Sequence, residues 1–235
     1  MAVKVIAHRG APVYHLENTI STFRRALKLG VDMIELDIQV TKDGIPIVIH
    51  DNTVDRVTEA SGLVRHFNLK DIRMFKVGQD TIPTVEEVVV NFKDKIDLLL
   101  DIKTIDAVDP LKKIIKQYGL KDKILISSFR KNVIRSFEEW DSMIKTGLLC
   151  WRVTDAKVKF ALDNNVEFIH PYHLFLSKGK IADLHERGLG VNVWTVDYAW
   201  GIKRSLDNKV DGIITNRPVL LNKIKEVAKA MVLET

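Results

Sequence analysis

The chain of 235 residues has a single cysteine, Cys150, so no disulfide can form within it. A lone thiol fits a reducing compartment, and its apolar neighbours predict a buried structural residue rather than a nucleophile. No apolar stretch approaches the roughly 20 residues that are needed to span a bilayer. The first strand begins by Val3, which leaves no room for a secretory leader. These absences predict a soluble, cytoplasmic protein with no membrane anchor.

No recognised nucleic-acid motif accompanies the basic surplus of this chain. Lys and Arg number 36 against 31 Asp and Glu, a net charge of +5. The cations are interleaved with acids or lie on amphipathic helices such as the one around 112–116, which is typical of a solvated face. We therefore expect no nucleic-acid partner. The oligomeric state, including a homo-oligomer, is left open.

Short apolar runs alternate with amphipathic helical patterns along the whole chain. The predicted strands are 3–7, 33–40, 45–50, 97–102, 124–128, 146–150, 166–170, 190–195 and 211–215. The predicted helices are about 18–29, 84–93, 107–118, 131–139, 154–164, 177–187, 198–207 and 218–232. Repeated βα units indicate a parallel sheet, and the eight strands other than 45–50 predict an α/β fold of the (β/α)8 TIM-barrel type. An open doubly wound sheet is the alternative, but no glycine-rich nucleotide fingerprint favours it.

A β-hairpin is expected to extend the second strand. Apolar and polar residues alternate on both sides of Asp43-Gly44, a favoured two-residue turn. Folding the chain there places Asp37 opposite His50 and puts Glu35 on the same face as Asp37. This hairpin is either a solvated surface element or a place to hold a cation beside a proton-transfer group.

The connection 51–82 is the longest irregular one, and we interpret it as a small inserted cap within a single domain that spans 1–235. Elsewhere the polar groups collect at strand ends. In a TIM-type barrel the active site lies at the carboxyl ends of the strands, so this convergence indicates an enzyme. The residues concerned are His8, Arg9, Glu35, Asp37, His50, Asp101, Lys103, Ser127, Phe129, His170, Trp194 and Asn216.

Several short motifs follow one another in a fixed order along the chain. The first are His8-Arg9-Gly10, Glu17-Asn18-Thr19, Glu35-x-Asp37 and His50-Asp51. Later ones are Asp55-Arg56-Val57-Thr58, Ile82-Pro83-Thr84, Asp101-Ile102-Lys103, Ser127-Ser128-Phe129, Val193-Trp194-Thr195-Val196 and 212–218. This ordered set resembles the glycerophosphodiester phosphodiesterase family. The chain departs from the family pattern at Asp101, where glutamate is usual, and at Asp197, where asparagine often follows the Trp-Thr-Val run.

The resemblance implies a metal-dependent hydrolysis of glycerophosphodiesters to glycerol 3-phosphate and an alcohol. It implies a divalent cation on Glu35, Asp37 and Asp101, and general acid and base roles for His8 and His50. Three carboxylates with no cysteine nearby suit Mg2+ or Ca2+, and we lean toward Mg2+. Arg9 and Lys103 would bind the phosphate, and Trp194 and Phe129 would line the pocket for the small-molecule substrate. Glu17 and Asn18, just before the first helix, are interpreted as capping residues.

Three other functions are weighed against this one. A phospholipase-D-like enzyme or cyclising phosphodiester lyase acting on lysolipids would need an apolar groove or membrane-facing loop, which is not evident in 51–82. A Schiff-base aldolase using Lys103 would leave the acids and histidines unexplained. A non-catalytic phosphodiester-binding barrel would not need both histidines.

Overall fold

The computed structural model describes residues 3–12 and 16–233. Its strands are β1 (Lys4–Ala7), β2 (Met33–Val40), β3 (Pro46–Val48), β4 (Lys76–Val77), β5 (Asp80–Thr81), β6 (Asp97–Ile102), β7 (Ile124–Ser128), β8 (Thr146–Cys150), β9 (Phe168–Pro171), β10 (Gly190–Val193) and β11 (Gly212–Thr215). Its helices are α1 (Ile20–Lys28), α2 (Leu69–Ile72), α3 (Val85–Phe92), α4 (Val108–Tyr118), α5 (Lys131–Trp140), α6 (Asp155–Asp163), α7 (Lys178–Glu186), α8 (Ala199–Asp207) and α9 (Pro218–Leu233).

Eight parallel strands close into a barrel in the order β1-β11-β10-β9-β8-β7-β6-β2. The first half of β2 completes the ring by pairing with β1, with Ile6 opposite Met33. The predicted (β/α)8 barrel is therefore confirmed. Each predicted strand and each predicted helix overlaps an observed one, whereas α2, β4 and β5 were not expected.

The hairpin forms as predicted, but in a different register. Its loop has three residues, 42–44, because Thr41 donates from its backbone N–H to the Ile45 carbonyl at 3.1 Å. Gly44 takes the left-handed conformation (φ 81°) that such a loop requires. Val40 therefore pairs with Pro46, and Ile49 rather than His50 lies opposite Asp37. The predicted pairing of Asp37 with His50 is wrong by one residue.

Alternation along the strands separates an outer core from an inner one. Outward-facing residues such as Ile34, Leu36 and Ile38 of β2 pack under the helices in the large core. Inward-facing residues fill the barrel with a small apolar cluster of Ile6, Met33, Leu99, Leu125 and Ile214. Further along β2 the inward-facing residues are Glu35 and Asp37, so the polar site lies next to this apolar cluster.

The segment 51–82 has a small core of its own. Val54, Val64, Ile72 and Val77 pack there with Ile47 and Ile49 of the hairpin. This cluster anchors the inserted segment to β3, at the side of the barrel where the hairpin leaves it. Its interpretation as a cap within one domain stays a prediction.

Two further expectations concern Cys150 and the membrane. Cys150 is buried and unpaired, and burial raises the pKa of its thiol to about 11, which makes it a poor nucleophile. Among the helices of 3–12 and 16–233, none is long and apolar enough to cross a bilayer.

The carboxyl group of Glu138 on α5 should make stability depend on pH. Burial, followed by the neighbouring Glu167 carboxylate, raises its pKa to about 7, and its Oε2 atom is buried without a hydrogen-bond partner in the described structure. From pH 4.5 to 7 the folded chain thus binds more protons than the unfolded one, so the unfolding free energy falls as pH rises. Glu138→Gln should remove this fall in the unfolding free energy, because glutamine carries no titrating group. Above pH 7 it should be more stable than the wild type by on the order of 1 kcal/mol, since solvent screens this half-exposed group.

Urea unfolding at pH 5 and pH 8 measures the effect of Glu138→Gln. Its exposed neighbour offers a matched control, Glu139→Gln, which should raise the unfolding free energy at pH 8 by less than Glu138→Gln does. If Glu138→Gln changes the unfolding free energy by the same amount at pH 5 and at pH 8, Glu138 does not titrate in this range.

Candidate active site

A tight turn after β1 brings the first predicted site residues into the barrel mouth. Residues 8–11 form a tight turn that the Ala11 backbone N–H closes by donating to the His8 carbonyl at 2.8 Å, and Arg9 (φ 50°) and Gly10 (φ 79°) within it are left-handed. A Cβ atom on Gly10 would lie 2.6 Å from a side-chain carbon of Thr22, so only glycine fits there. The turn aims the Arg9 backbone N–H at Glu35 Oε2, at 2.6 Å. Left-handed backbone at a non-glycine residue is unfavourable, and its presence beside this carboxylate is typical of a functional site.

Three carboxylates from two neighbouring strands lie together inside the barrel. Asp37 on β2 is the register partner of Asp101 on β6, and Glu35 precedes Asp37 by two residues on the same inward face. One oxygen from each lies within 4.8 Å of the other two, and all three residues are buried. Three acids cannot be buried together without positive charge to compensate them.

Two cationic side chains supply part of that charge. The Lys103 ammonium lies 2.7 Å from Asp37 Oδ1 and also pairs with Asp101. Arg9 Nε lies 3.2 Å from Asp37 Oδ2. Asp101 Oδ1 is left buried without a hydrogen-bond partner in the described structure. The cluster therefore still has a free oxygen that a cation could use.

The pKa shifts within the cluster also show that its negative charge is only partly compensated. Burial raises the pKa of Glu35 well above its usual value, and Asp37 and Asp101 add to the effect. Burial also raises the pKa of Asp101. It would do the same at Asp37, but Lys103 and Arg9 hold the pKa of that carboxyl well below its usual range. Two of the three acids are thus hard to ionise unless more positive charge arrives, and a set of hard oxygen donors fits a divalent metal ion.

His8 is held in one tautomer by a short chain of hydrogen bonds. Asp197 accepts from the Asn216 side-chain amide at 2.7 Å and from its backbone N–H at 2.8 Å. The amide oxygen must then face His8, whose Nδ1 lies 2.7 Å away. Because that oxygen can only accept, Nδ1 carries the proton and Nε2 is left unprotonated. Burial, followed by the nearby Arg9 charge, lowers the pKa of His8 to about 4.

His50 is oriented by a carboxylate instead. Its Nδ1 lies 2.6 Å from Asp51 Oδ1. Asp51 in turn accepts from Arg56 Nε at 2.6 Å, and Arg56 also donates to Glu17 Oε1 at 2.6 Å. Glu17 pairs with Arg9 at 3.2 Å, which completes a chain of polar contacts from His50 to the turn after β1. The inserted segment thus contributes Arg56 to the site.

All nine predicted site residues line one pocket at the carboxyl ends of the barrel strands. Its volume is about 110 Å³. The nine are His8, Arg9, Glu35, Asp37, His50, Asp101, Lys103, Phe129 and Trp194. A larger cavity of about 760 Å³ opens at the amino ends, among mixed lysines and aspartates. Barrel enzymes work at the carboxyl ends, so the smaller pocket is the candidate site.

Some residues play a different part from the one expected. Asn18 does not cap α1, because Thr19 does so by accepting from the Thr22 backbone N–H at 3.2 Å. Buried Asn18 instead donates to Asp37 Oδ2 at 2.8 Å. His170 is buried inside the barrel, 3.2 Å from the Asn192 amide, and is not a rim contact. The Glu17-Asn18-Thr19 motif was the signal that could have placed Asn18 in the site.

Acids and imidazoles that converge at the carboxyl end of a (β/α)8 barrel are typical of an enzyme of the TIM-barrel class. Comparison with known proteins agrees with this class of enzyme. The model of the glycerophosphoryl diester phosphodiesterase family matches residues 8–220. A glycerophosphodiester phosphodiesterase of Caldanaerobacter subterraneus is 35% identical over 96% of this chain and 99% of its own. One from Bacillus altitudinis is 29% identical over 96% of this chain and 99% of its own.

Solved structures show the same fold. An Oleispira antarctica phosphodiesterase, determined in complex with the product sn-glycerol-3-phosphate, superposes with a TM-score of 0.89 at 22% identity, covering 95% of this chain and 96% of that one. The chain belongs to the glycerophosphoryl diester phosphodiesterase family. The resemblance seen in its motifs is confirmed.

Proposed function

We propose that this protein hydrolyses glycerophosphodiesters to glycerol 3-phosphate and an alcohol in a metal-dependent reaction. The observation that carries the proposal is the pocket in which Glu35, Asp37 and Asp101 lie together between His8 and His50. The names of the relatives and the product bound in the Oleispira structure support the same substrate class.

A divalent cation would be held by Glu35, Asp37 and Asp101. When bound there, it would neutralise phosphate charge and polarise a non-bridging oxygen. The free Asp101 Oδ1 and the raised pKa values of Glu35 and Asp101 fit such a cation. We favour Mg2+ over Ca2+, because a compact set of three carboxylates leaves the remaining positions to water and substrate.

The partners of the two histidines divide the proton transfers between them. His8 Nε2 is unprotonated and can take the proton of the attacking hydroxyl or water. The His50 Nδ1 atom lies on the Asp51 carboxylate, which orients the ring so that its other nitrogen can give a proton to the leaving alcohol oxygen. We therefore assign His8 as general base and His50 as general acid.

The remaining pocket residues bind the substrate. Arg9 and Lys103 are cations at the acidic cluster, placed to neutralise the phosphate charge that grows in the transition state. Phe129 and Trp194 form the apolar wall, with ring centroids 5.6 Å apart, and would pack on the glycerol carbons. These two rings and the three acids line the same small pocket.

The geometry disfavours two of the alternatives. Asp101, Asp37 and Glu35 outweigh burial and raise the pKa of Lys103, so its amine is protonated and unfit to form a Schiff base. A non-catalytic barrel would not need one imidazole oriented by an amide oxygen and another by a carboxylate.

A coupled assay for glycerol 3-phosphate tests the proposed function. Purified protein is given glycerophosphocholine, glycerophosphoethanolamine and glycerophosphoglycerol, with Mg2+, with Ca2+ and with EDTA. Release from at least one substrate with metal, and none with EDTA, is expected. Absence of release from all three under every metal condition contradicts the proposal.

Asp197 should act on the reaction through Asn216 and His8. In Asp197→Ala the Asn216 amide is free to rotate, so His8 loses its fixed tautomer. We expect kcat to fall by about tenfold or more with KM changed less than about threefold. Asp197→Asn retains an acceptor for the Asn216 backbone N–H and should lose less.

Steady-state kinetics with glycerophosphocholine separate kcat from KM for these variants. The exposed Asp207 on α8, which pairs with Lys203 at 3.3 Å, supplies the control Asp207→Ala. A wild-type kcat in Asp197→Ala would show that the amide does not need this carboxylate.

A further inference from the structure

A second cavity lies on the hairpin side of the catalytic pocket. Its volume is about 540 Å³, and it is lined by the hairpin, the inserted segment and the loops after β6 and β7. Lys42 comes from the hairpin loop, Arg65 from the inserted segment and Arg130 from the loop after β7. Lys103, which follows β6, lines both this cavity and the catalytic pocket, so the two adjoin. The cavity is called the basic groove.

The charge of the basic groove is not compensated by its own side chains. Four cations and one acid line it among the described residues. In this part of the chain, Lys42, Arg65 and Arg130 form no ion pair with a carboxylate. Arg130 donates from Nε to the Lys103 carbonyl at 2.8 Å, and its two terminal nitrogens have no hydrogen-bond partner within 3–12 and 16–233. Unpaired cations around one concave surface attract an anion, and guanidinium groups suit phosphate oxygens.

The catalytic pocket is too small to enclose a whole glycerophosphodiester. Its volume of about 110 Å³ is well below the roughly 300–1,000 Å³ that is typical of small-molecule sites. The basic groove, in contrast, falls within that range. Under the proposed function the diester phosphate and the glycerol occupy the pocket, so the leaving alcohol has to lie outside it.

The leaving alcohol is expected to enter the basic groove, because this groove begins beside His50, the assigned general acid. Gln39 and Asn52 line the groove, and the Gln39 amide donates to the His50 carbonyl at 3.4 Å. The wall of Phe129 and Trp194 is assigned to the glycerol carbons. An alcohol that receives its proton from His50 therefore leaves on the groove side.

We propose that the basic groove binds a phosphomonoester on the leaving alcohol, so that the enzyme prefers glycerophosphodiesters whose alcohol carries a second phosphate. This inference rests on the proposed function, because it uses the same pocket and the same bond cleavage. Water adds its oxygen to the diester phosphorus, the bond from phosphorus to the alcohol oxygen breaks, and that oxygen takes a proton. The phosphomonoester stays intact on the released alcohol, and glycerol 3-phosphate is the other product.

A matched pair of substrates tests the basic groove. Release of glycerol 3-phosphate is measured for glycerophosphoinositol and for glycerophosphoinositol 4-phosphate, which differ by one phosphate on the leaving ring, with Mg2+ in excess of both. An exposed ion pair contributes up to about fivefold in affinity, so contacts with two or three cations should raise kcat/KM for the phosphorylated substrate by about tenfold. In about 0.5 M NaCl the screening length falls to about 4 Å, and this preference should shrink to less than about threefold.

Variants locate the preference in the basic groove. Lys42→Gln and Arg65→Gln each remove one charge and should each reduce the preference by about threefold, and the double variant should reduce it to less than about twofold. Neither residue lines the catalytic pocket, and the ratio of the two substrates within each variant removes any general loss of activity. Lys116→Gln is the matched control, since Lys116 is exposed on α4 and lies outside the groove. It should retain the full preference.

Other outcomes separate this inference from the proposed function. No glycerol 3-phosphate from glycerophosphocholine or from either inositol substrate, with metal present, removes the proposed function and the role of the groove with it. Release from glycerophosphocholine without a preference for the phosphorylated inositol substrate overturns the role of the groove alone. So does a preference that the double variant retains. If there is no such preference and the double variant loses binding to phosphatidylglycerol vesicles, the groove belongs to an anionic membrane contact, and the proposal is overturned as well.

Discussion

His8→Ala and His50→Ala should each lower kcat by about two orders of magnitude or more, because each removes a group that moves a proton in the reaction. Folding should be retained, since both residues lie at the mouth of the barrel and not in its large core. The coupled assay with glycerophosphocholine gives kcat, and circular dichroism checks the fold. The exposed His66 supplies the control His66→Ala, which should keep wild-type turnover.

The leaving group distinguishes the two histidines. A p-nitrophenyl phosphodiester needs little protonation of its leaving oxygen, so His50→Ala should lose much less on that substrate than on glycerophosphocholine. His8→Ala should lose as much on both, because a base is needed in either case. The reverse pattern would exchange the assigned roles, and near wild-type turnover in either variant would remove that residue from the chemistry.

Removing the metal should abolish activity, and Mg2+ should restore it better than Ca2+. Asp101→Asn keeps the shape of the side chain but removes its charge, so at limiting metal its activity should fall at least about tenfold, with partial recovery in excess metal. Asp101→Glu should be tolerated, since it keeps the carboxylate and is the usual family residue. Titration calorimetry with Mg2+ measures affinity apart from turnover.

Asp106→Asn is the matched control for Asp101→Asn. Asp106 is exposed in the loop after β6, so its charge is lost without touching the cluster. Its metal affinity and turnover should match those of the wild type. Full activity of Asp101→Asn at limiting metal would remove Asp101 from the metal site and leave Lys103 as the contribution of β6.

The hairpin shows where prediction from sequence stops. Alternation identified both strands and the turn, but loops of two and of three residues both suit Asp43-Gly44. A shift of one residue in the register changes which residue lies opposite Asp37. The three-residue loop with its left-handed Gly44 places Ile49 there. His50 follows β3 and has no partner residue on β2, and its side chain still lines the pocket.

Asn18, Asn216 and Asp197 show a second limit. An amide before a helix is usually a cap, and sequence carries no information on which carboxylate an asparagine 19 positions away will meet. Only closure of the barrel brings β11 beside β1, so that Asn216 reaches His8 across 208 positions of sequence. The assignment of base and acid therefore follows from tertiary hydrogen bonds.

The sequence by itself determined the order of the barrel strands and the helices between them, the barrel class and the nine residues at its mouth, because hydrophobic periodicity and local motifs are properties of neighbouring positions. The tertiary structure alone decided that Asp37 and Asp101 lie side by side, since their contact is set by the register of β2 with β6. It also decided that aromatic side chains gather beside the pocket, because Phe129, Trp151, Tyr172 and Trp194 come from the ends of four successive barrel strands. Distances between strands are fixed by barrel closure, and no local pattern encodes them.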